Sequence, residues 1–241
     1  MAVGLSWHSC SRSDAGCTRR ANEDNCLDLP GDGLWVVADG MGGYLLGEFA
    51  SHTVVDSCRV IRAPESLAQY SEQVSQKLQA ANLFLREEAV RRDIQTIGST
   101  VVALMFSEGH FCCLWAGDSR LYRYRGDTFE QLTRDHSLMD ELIAAGVLPS
   151  GTTRHPAEGV ITRSVGGDNE LRLDNITGEL RPGDIFILCS DGLYKELDDQ
   201  EIAEIIKQGD PQASCDRLMD QALTRGARDN VTVMMVFVGA G

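Results

Sequence analysis

No stretch of this chain is apolar for long enough to cross a bilayer. Its hydrophobic segments run for about five to nine residues, far short of the ~20 that a spanning helix needs. The start, Met1-Ala2-Val3-Gly4-Leu5-Ser6-Trp7-His8, has neither the basic stretch nor the long apolar core of a secretory leader, so none is expected. Basic residues are scarce. The 22 Lys and Arg stand against 36 Asp and Glu, a net charge of −14, which argues against nonspecific binding of nucleic acid or an anionic membrane. The eight cysteines, at positions 10, 17, 26, 58, 112, 113, 189 and 215, include no Cys-x-x-Cys pair. Zinc ribbons and a disulfide framework are thereby disfavoured, and a reducing cytoplasm is the expected compartment. No Pro-, Ser- or Gly-rich linker divides the chain, so one domain over residues 1–241 is expected. There is also no nucleophile–base constellation of the kind that covalent catalysis uses.

What the chain does have is aspartate where apolar, strand-like runs meet turns. Asp24, Asp39, Asp118, Asp191 and Asp229 stand in the contexts Asn22-Glu23-Asp24, Asp39-Gly40-Met41-Gly42-Gly43, Gly117-Asp118-Ser119-Arg120, Ser190-Asp191-Gly192 and Asp229-Asn230. A carboxylate at the end of a buried strand is costly unless a cation or hydrogen-bond donors satisfy it. Five of them suggest strands converging on one pocket, and oxygen ligands alone select hard cations such as Mg²⁺ or Mn²⁺. Taken singly each fragment is ordinary: Asp-Gly is a common turn, Glu23-Asp24 could be a surface pair, and Asp229-Asn230 could be an Asx-turn.

The periodicities give an α+β order. Hairpins are expected from Cys26–Leu29 with Leu34–Ala38, Ser99–Phe106 with His110–Ala116, and Leu121–Arg125 with Thr128–Leu132. A helix follows Gly47, and apolar residues three or four apart predict a long helix over about 66–92. A short helix at 137–145 opens a looser segment, a flap at about 135–163. The strand Ile185–Cys189, helices at 199–207 and 211–225, and a strand at 231–238 complete the chain. Strands in runs favour a sandwich over a doubly wound parallel sheet. Trp35, Trp115, Met234 and Met235 read as core and Arg91 and Arg92 as the positive end of a helix, while His136 and His155, in the flap, read as structural or solvent-facing, with a reach to substrate as the alternative.

Together these fragments resemble the metal-dependent protein phosphatases (PPM, or PP2C-type, Ser/Thr phosphatases), in particular their bacterial branch. The matching residues are Arg19-Arg20-Ala21-Asn22-Glu23-Asp24, Val37 to Gly43 with Gly47-Glu48, Gly98-Ser99-Thr100, Gly117 to Arg120, Thr133 to Ser137, Ile161-Thr162-Arg163, Ser190 to Leu193 and Asp229 to Thr232. The resemblance implies a four-layer α-β-β-α sandwich with two central antiparallel sheets. It implies two Mn²⁺ or Mg²⁺ ions per site and a weaker third. Asp39 would bridge the two, Gly40 would offer its carbonyl to the second, and Asp191 and Asp229 would ligate the first. Asp118, with Asp191, would hold the third, and Glu23 and Asp24 would act from the outer shell or through water. Arg19 matches the phosphate-binding arginine. The implied reaction is direct attack of a metal-bridging water on phosphoserine or phosphothreonine, and the implied partners are phosphoproteins and a cognate Ser/Thr kinase, with no nucleic acid or membrane, from a monomer. Two departures bear on what is particular to this chain: Tyr44 stands where many relatives have His, and Arg154 to Gly159 lacks the usual basic run after His155-Pro156. A phosphoprotein-binding module without activity, and a phosphatase of small metabolites, remain open alternatives; intact Asp39, Asp191 and Asp229 weigh against the first.

Overall fold

The structure, a computed structural model, describes residues 4–42, 46–149, 151–152, 155–157, 159–207 and 210–241. Tyr44, Arg154 and Glu158, on which the two sequence departures bear, lie outside the described residues.

Strands β3 (Leu34–Met41), β5 (Val101–Ser107) and β6 (His110–Ala116) explain the layering. Each is apolar at nearly every position, and alternate side chains leave opposite faces of a strand. Val36, Ala103 and Leu114 point to one hydrophobic cluster, while Trp35, Leu104 and Trp115 point to another. A strand apolar on both faces needs cover on both, which only the interior of a layered fold supplies. β10 (Ile185–Cys189) and β11 (Val231–Ala240) repeat the device: Phe186 and Met234 meet Trp35 and Trp115 between the sheets, and Ile187 and Met235 face the other way.

Two antiparallel sheets result. One runs β1 (Leu5–Asp14), β11, β10, β7 (Arg120–Arg125), β8 (Thr128–Gln131). The other runs β2 (Asp24–Leu29), β3, β5, β6, β9 (Asp174–Glu179), with β4 (Gly98–Ser99) paired to β3. Helices α1 (Leu46–Arg59) and α2 (Leu67–Arg91) cover the second sheet, and α4 (Asp191–Tyr194), α5 (Asp199–Lys207) and α6 (Pro211–Thr224) cover the first. α3 (Leu138–Ala144) lies in the expected flap and buries none of its residues. This is the α+β sandwich of four layers, helix–sheet–sheet–helix, that was expected. Among the described residues all eight cysteines are free, seven of them buried or partly buried.

α2 shows how the pattern sets the packing. Ser66 caps it, accepting the Gln69 N–H at 3.3 Å, and Tyr70, Val74, Leu78, Ala81, Leu85 and Ala89 form one buried stripe. Burial of each large side chain stabilises by about 1.5–3 kcal/mol. Inside this stripe sits Asn82, fully buried. Its Nδ2 donates to the Asp168 carbonyl at 3.1 Å, and its Oδ1 accepts the Gly166 N–H at 2.7 Å. One amide thus ties the helix to the loop at 166–168.

Three elements are additional to those the sequence predicts: β1, β9 and the four-residue α4. β1 and β9 are edge strands whose exposed positions carry polar residues, so no apolar run marks them. Asp39 also differs from expectation in position. β3 continues to Met41 because Ser99 and Gly98 pair with Gly40 and Met41, so Asp39 lies within the strand and not at its end.

Replacing Asn82 by Ala would leave a buried amide hydrogen without an acceptor. The expected loss in unfolding free energy is about 1–3 kcal/mol, measured by urea denaturation; a change below about 0.5 kcal/mol would contradict this role.

Candidate active site

All five aspartates come together at one end of the sandwich. Asp24 and Asp39 face one another across the β2–β3 ladder, at the first residue of β2 and near the end of β3. Asp118 leaves β6, Asp191 opens α4 directly after β10, and Asp229 precedes β11. Neighbouring strands of each sheet therefore release their carboxylates into the same region, and Asp24, Asp118, Asp191 and Asp229 all act electrostatically on Asp39.

The remaining motif residues hold these carboxylates in place. Asp24 Oδ2 accepts from Ser190 Oγ and Thr232 Oγ1, both at 2.7 Å, which stitches the second sheet to the first. Asn230, 4% exposed, straps the segment before β2 to β11: its Oδ1 accepts the Glu23 N–H at 2.8 Å and its Nδ2 donates to the carbonyls of Ala15 and Ala21, each at 2.9 Å. Asp39 is fixed through its backbone. Its N–H donates to Thr100 Oγ1 at 2.9 Å, and its carbonyl accepts from the Thr100 N–H at 2.8 Å and from Ser99 Oγ at 3.0 Å. Behind Thr100 lies Ser119, with the hydroxyls 2.7 Å apart.

Gly40 and Gly47 lie too close for side chains. A Cβ on Gly40 would stand 1.9 Å from the Gly47 carbonyl oxygen. One on Gly47 would stand 2.7 Å from both the Gly40 carbonyl oxygen and Glu23 Oε1. The Glu23 carboxylate and the Gly40 carbonyl are thus both brought against Gly47. Gly117, at φ +111° and with a pseudo-Cβ 2.6 Å from Thr100 Cγ2, makes the turn that aims Asp118.

A second layer supports Asp118. Arg120 forks onto Asp135 through Nε and Nη2 (3.0 and 2.7 Å) and stacks 3.5 Å over the Tyr194 ring, whose hydroxyl donates to the Asp118 carbonyl at 3.0 Å. His136 is 5% exposed and stacks on Trp115. Its Nδ1 accepts the Gly117 N–H at 3.2 Å, which leaves the proton on Nε2, 3.3 Å from Asp174 Oδ2. Burial, opposed by Asp174, holds its pKa below the ordinary histidine value. His136 is thus structural, as expected, and His155 turns back on its own loop by accepting the Ala157 N–H at 3.1 Å. Trp35 and Trp115 are core residues, and Arg91 and Arg92 pair with Glu88.

Charge is where the site is unbalanced. Burial first, and then the neighbouring carboxylates Asp191 and Asp229, push Asp24 up to about 7 despite its two hydroxyl donors. Burial and Asp191 push Asp118 up to about 7 as well. Asp39 lies well above the usual carboxylate range, through burial and then Asp24, Asp191, Asp118 and Asp229. Among the described residues three carboxylate oxygens are buried without any partner: Asp24 Oδ1, Asp118 Oδ1 and Asp191 Oδ1. Unpartnered buried carboxylate oxygens are the donor set that hard divalent cations take, so the residues fit Mg²⁺ or Mn²⁺. Among the described residues no group of three or more His, Cys, Asp or Glu side chains is drawn together tightly enough to hold an ion as it stands. Two cations of the chain itself are engaged instead. Arg19 Nη2 donates to Asp229 Oδ2 at 2.8 Å, and the Lys195 ammonium pairs with Asp191 Oδ2. Both line a cavity of about 330 Å³ with Gly159, Gly192, Glu196, Arg228 and Asp229.

Sequence reading missed Lys195, Tyr194 and the Arg120–Asp135 fork. Only the last left a signal, since both residues fall inside matching motifs.

A sandwich with acidic side chains released from the ends of both sheets defines a class of folds suited to oxygen-ligated cations. Within it, the sequence profile of the protein phosphatase 2C family matches residues 18–228, and the chain belongs to that family. It is 33% identical over 241 residues to protein phosphatase PhpP of Streptococcus pneumoniae, covering 93% of this chain and 94% of that one. It is 31% identical over 230 residues to the serine/threonine protein phosphatase PstP of Mycobacterium tuberculosis, covering 95% of this chain but only 44% of the length of PstP. Among solved structures, PppA, a key regulatory component of T6SS in Pseudomonas aeruginosa, superposes with a TM-score of 0.92 at 43% identity over 98% of this chain and 99% of that one. The catalytic domain of PstP in complex with two manganese ions superposes with a TM-score of 0.87 at 30% identity, covering 98% of this chain and all of that one.

Without a cation, Asp24 and Asp118, at about 7 when folded against ~3.9 unfolded, bind more protons in the folded state. The stability they carry is full below the unfolded value and is lost as pH rises through about 7. A divalent cation replaces those protons. The rise in Tm produced by saturating Mn²⁺ over EDTA should therefore grow from pH 5.5 to pH 8 in calorimetric scans; a rise independent of pH would contradict the coupling.

Proposed function

We propose that the chain is a divalent-metal-dependent phosphatase of phosphoserine and phosphothreonine in proteins. The observation that carries this is the set of buried carboxylate oxygens on Asp24, Asp118 and Asp191 that no group of the protein satisfies. A binding module without activity has no need to retain a cluster that costs stability, and the likeness to PhpP and PstP, both named as protein phosphatases, supports the enzymatic reading.

When bound, Mn²⁺ or Mg²⁺ supplies charge to offset the phosphoryl oxygens and acidifies a water for direct attack, so that no side-chain nucleophile is needed. Asp39, held through its backbone by Ser99 and Thr100, would serve two ions, and the Gly40 carbonyl would serve the second. Asp191 and Asp229 would hold the first ion, and Asp118 with Asp191 a weaker third. Asp24 and Glu23 would act from the outer shell or through water. Arg19 is half exposed beside Asp229, and its guanidinium has donors left over to grip two phosphoryl oxygens and orient the phosphorus for attack.

The segment 135–163 forms a flap over one domain spanning the chain, and Gly159 from it lines the cleft with Arg19. The net charge of −14 leaves substrate attraction to this cleft, argues against nucleic acid and anionic membranes, and favours a monomer, while the cysteines without a Cys-x-x-Cys pair favour a reducing cytoplasm. Among the described residues no helix is long and apolar enough to cross a membrane. Phosphoserine and phosphothreonine are the products of Ser/Thr kinases, so such a substrate gives the chain a place opposite one.

Hydrolysis of a phosphothreonine peptide in Mn²⁺ should fall by at least about a hundredfold with EDTA or in Asp39→Asn. In Arg19→Ala, KM should rise by about ten- to a hundredfold, as loss of a charge-assisted hydrogen bond predicts. Activity that survives both EDTA and Asp39→Asn would overturn the reading. A kcat/KM for small phosphate monoesters equal to that for phosphopeptides would turn it toward metabolites.

A further inference from the structure

The two carboxylate oxygens of Asp191 differ in their surroundings. Oδ1 is buried without a partner, while Oδ2 is taken by the ammonium of Lys195. The pairing is built into the backbone. α4 ends after one turn, and Lys195 closes it by donating its N–H to the Asp191 carbonyl at 3.0 Å, so that main chain and side chain both return to the same residue. The side chains are 11% exposed for Asp191 and 35% for Lys195, and Lys195 stands on the wall of the cleft shared with Arg19 and Asp229. Asp118 and Asp229 also draw on the Lys195 charge. Among the described residues Lys195 is thus the one lysine paired with any of the five converging aspartates.

We infer that Lys195 is a built-in counter-ion, which neutralises the carboxylate cluster of the metal-free chain and weakens the binding of divalent cations there. This role rests on the metal-dependent reading above. Its physical content is a sign. A side chain that merely oriented Asp191 would strengthen cation binding, and its removal would lower affinity. A positive charge beside the cation's own ligand repels the cation, so its removal must raise affinity while the metal-free protein loses an attraction.

The test is titration of the metal-free protein with Mn²⁺, with the free ion followed by its electron paramagnetic resonance signal, in the wild type, Lys195→Met, Lys195→Gln and Lys195→Arg. The two neutral variants should bind Mn²⁺ about tenfold more tightly, with a lower Tm in EDTA, while Lys195→Arg should stay within about twofold of the wild type. Two neutral variants are used so that a folding failure in one leaves the other to decide. Affinity in the neutral variants equal to or below that of the wild type would overturn the role of Lys195 alone. So would an arginine variant as tight as the methionine one. A wild-type protein that takes up no Mn²⁺ would overturn the metal-dependent reading, and this role with it.

Discussion

Mutual repulsion among five aspartates, buried or half-buried at one end of the sandwich, is the constraint around which the rest is arranged. Two like charges about 5 Å apart repel by roughly 3 kcal/mol at an effective dielectric of about 20. Asp39 feels the charge of four neighbouring carboxylates. A fold only marginally stable overall carries a cluster of this kind only if something returns the cost. Part of the return is internal. The hydroxyls of Ser190 and Thr232 satisfy one oxygen of Asp24, Lys195 meets Asp191, and Arg19 meets Asp229. The remainder is left to protons or to divalent cations, which links the stability of the protein to its chemistry.

The sandwich makes that concentration of charge possible. β3, β5, β6, β10 and β11 are each buried on both faces, and stiff strands packed this way deliver their last residues to fixed points. The motif residues that carry no charge then act as fasteners: Asn230, just before β11, to the segment before β2, and Ser190 and Thr232 to Asp24 between the two sheets, with Thr100 to Asp39 within one. The Arg120–Asp135 fork and Tyr194 extend this support from Asp118 toward the flap. Glycine has a separate use at positions 40 and 47, where any side chain would occupy the space that brings the Gly40 carbonyl to the Glu23 carboxylate.

Much of this was legible in the sequence because the physics was local. Continuous apolar runs marked the doubly buried strands, the three- and four-residue spacing from Leu67 to Ala89 marked α2, and Asp-Gly after an apolar run marked Asp39 and Asp191. β1 and β9 escaped because edge strands are specified by the partner they pair with, and their own residues are largely polar. Lys195 escaped for a related reason. A lysine at the end of a short helix looks like a solvated charge until the fold shows which carboxylate stands opposite. The end of β3 was misplaced for the same cause, since its last pairs come from Gly98 and Ser99, far along the chain.

The central claim is that the carboxylate cluster exists to be neutralised by divalent cations on either side of Asp39. The most direct measurement is anomalous X-ray scattering at the manganese edge from crystals of the protein soaked in Mn²⁺. Two strong peaks flanking Asp39, one beside Asp191 and Asp229 and one beside the Gly40 carbonyl, are the predicted result. Peaks only elsewhere on this acidic surface, or none within reach of Asp39, would contradict it.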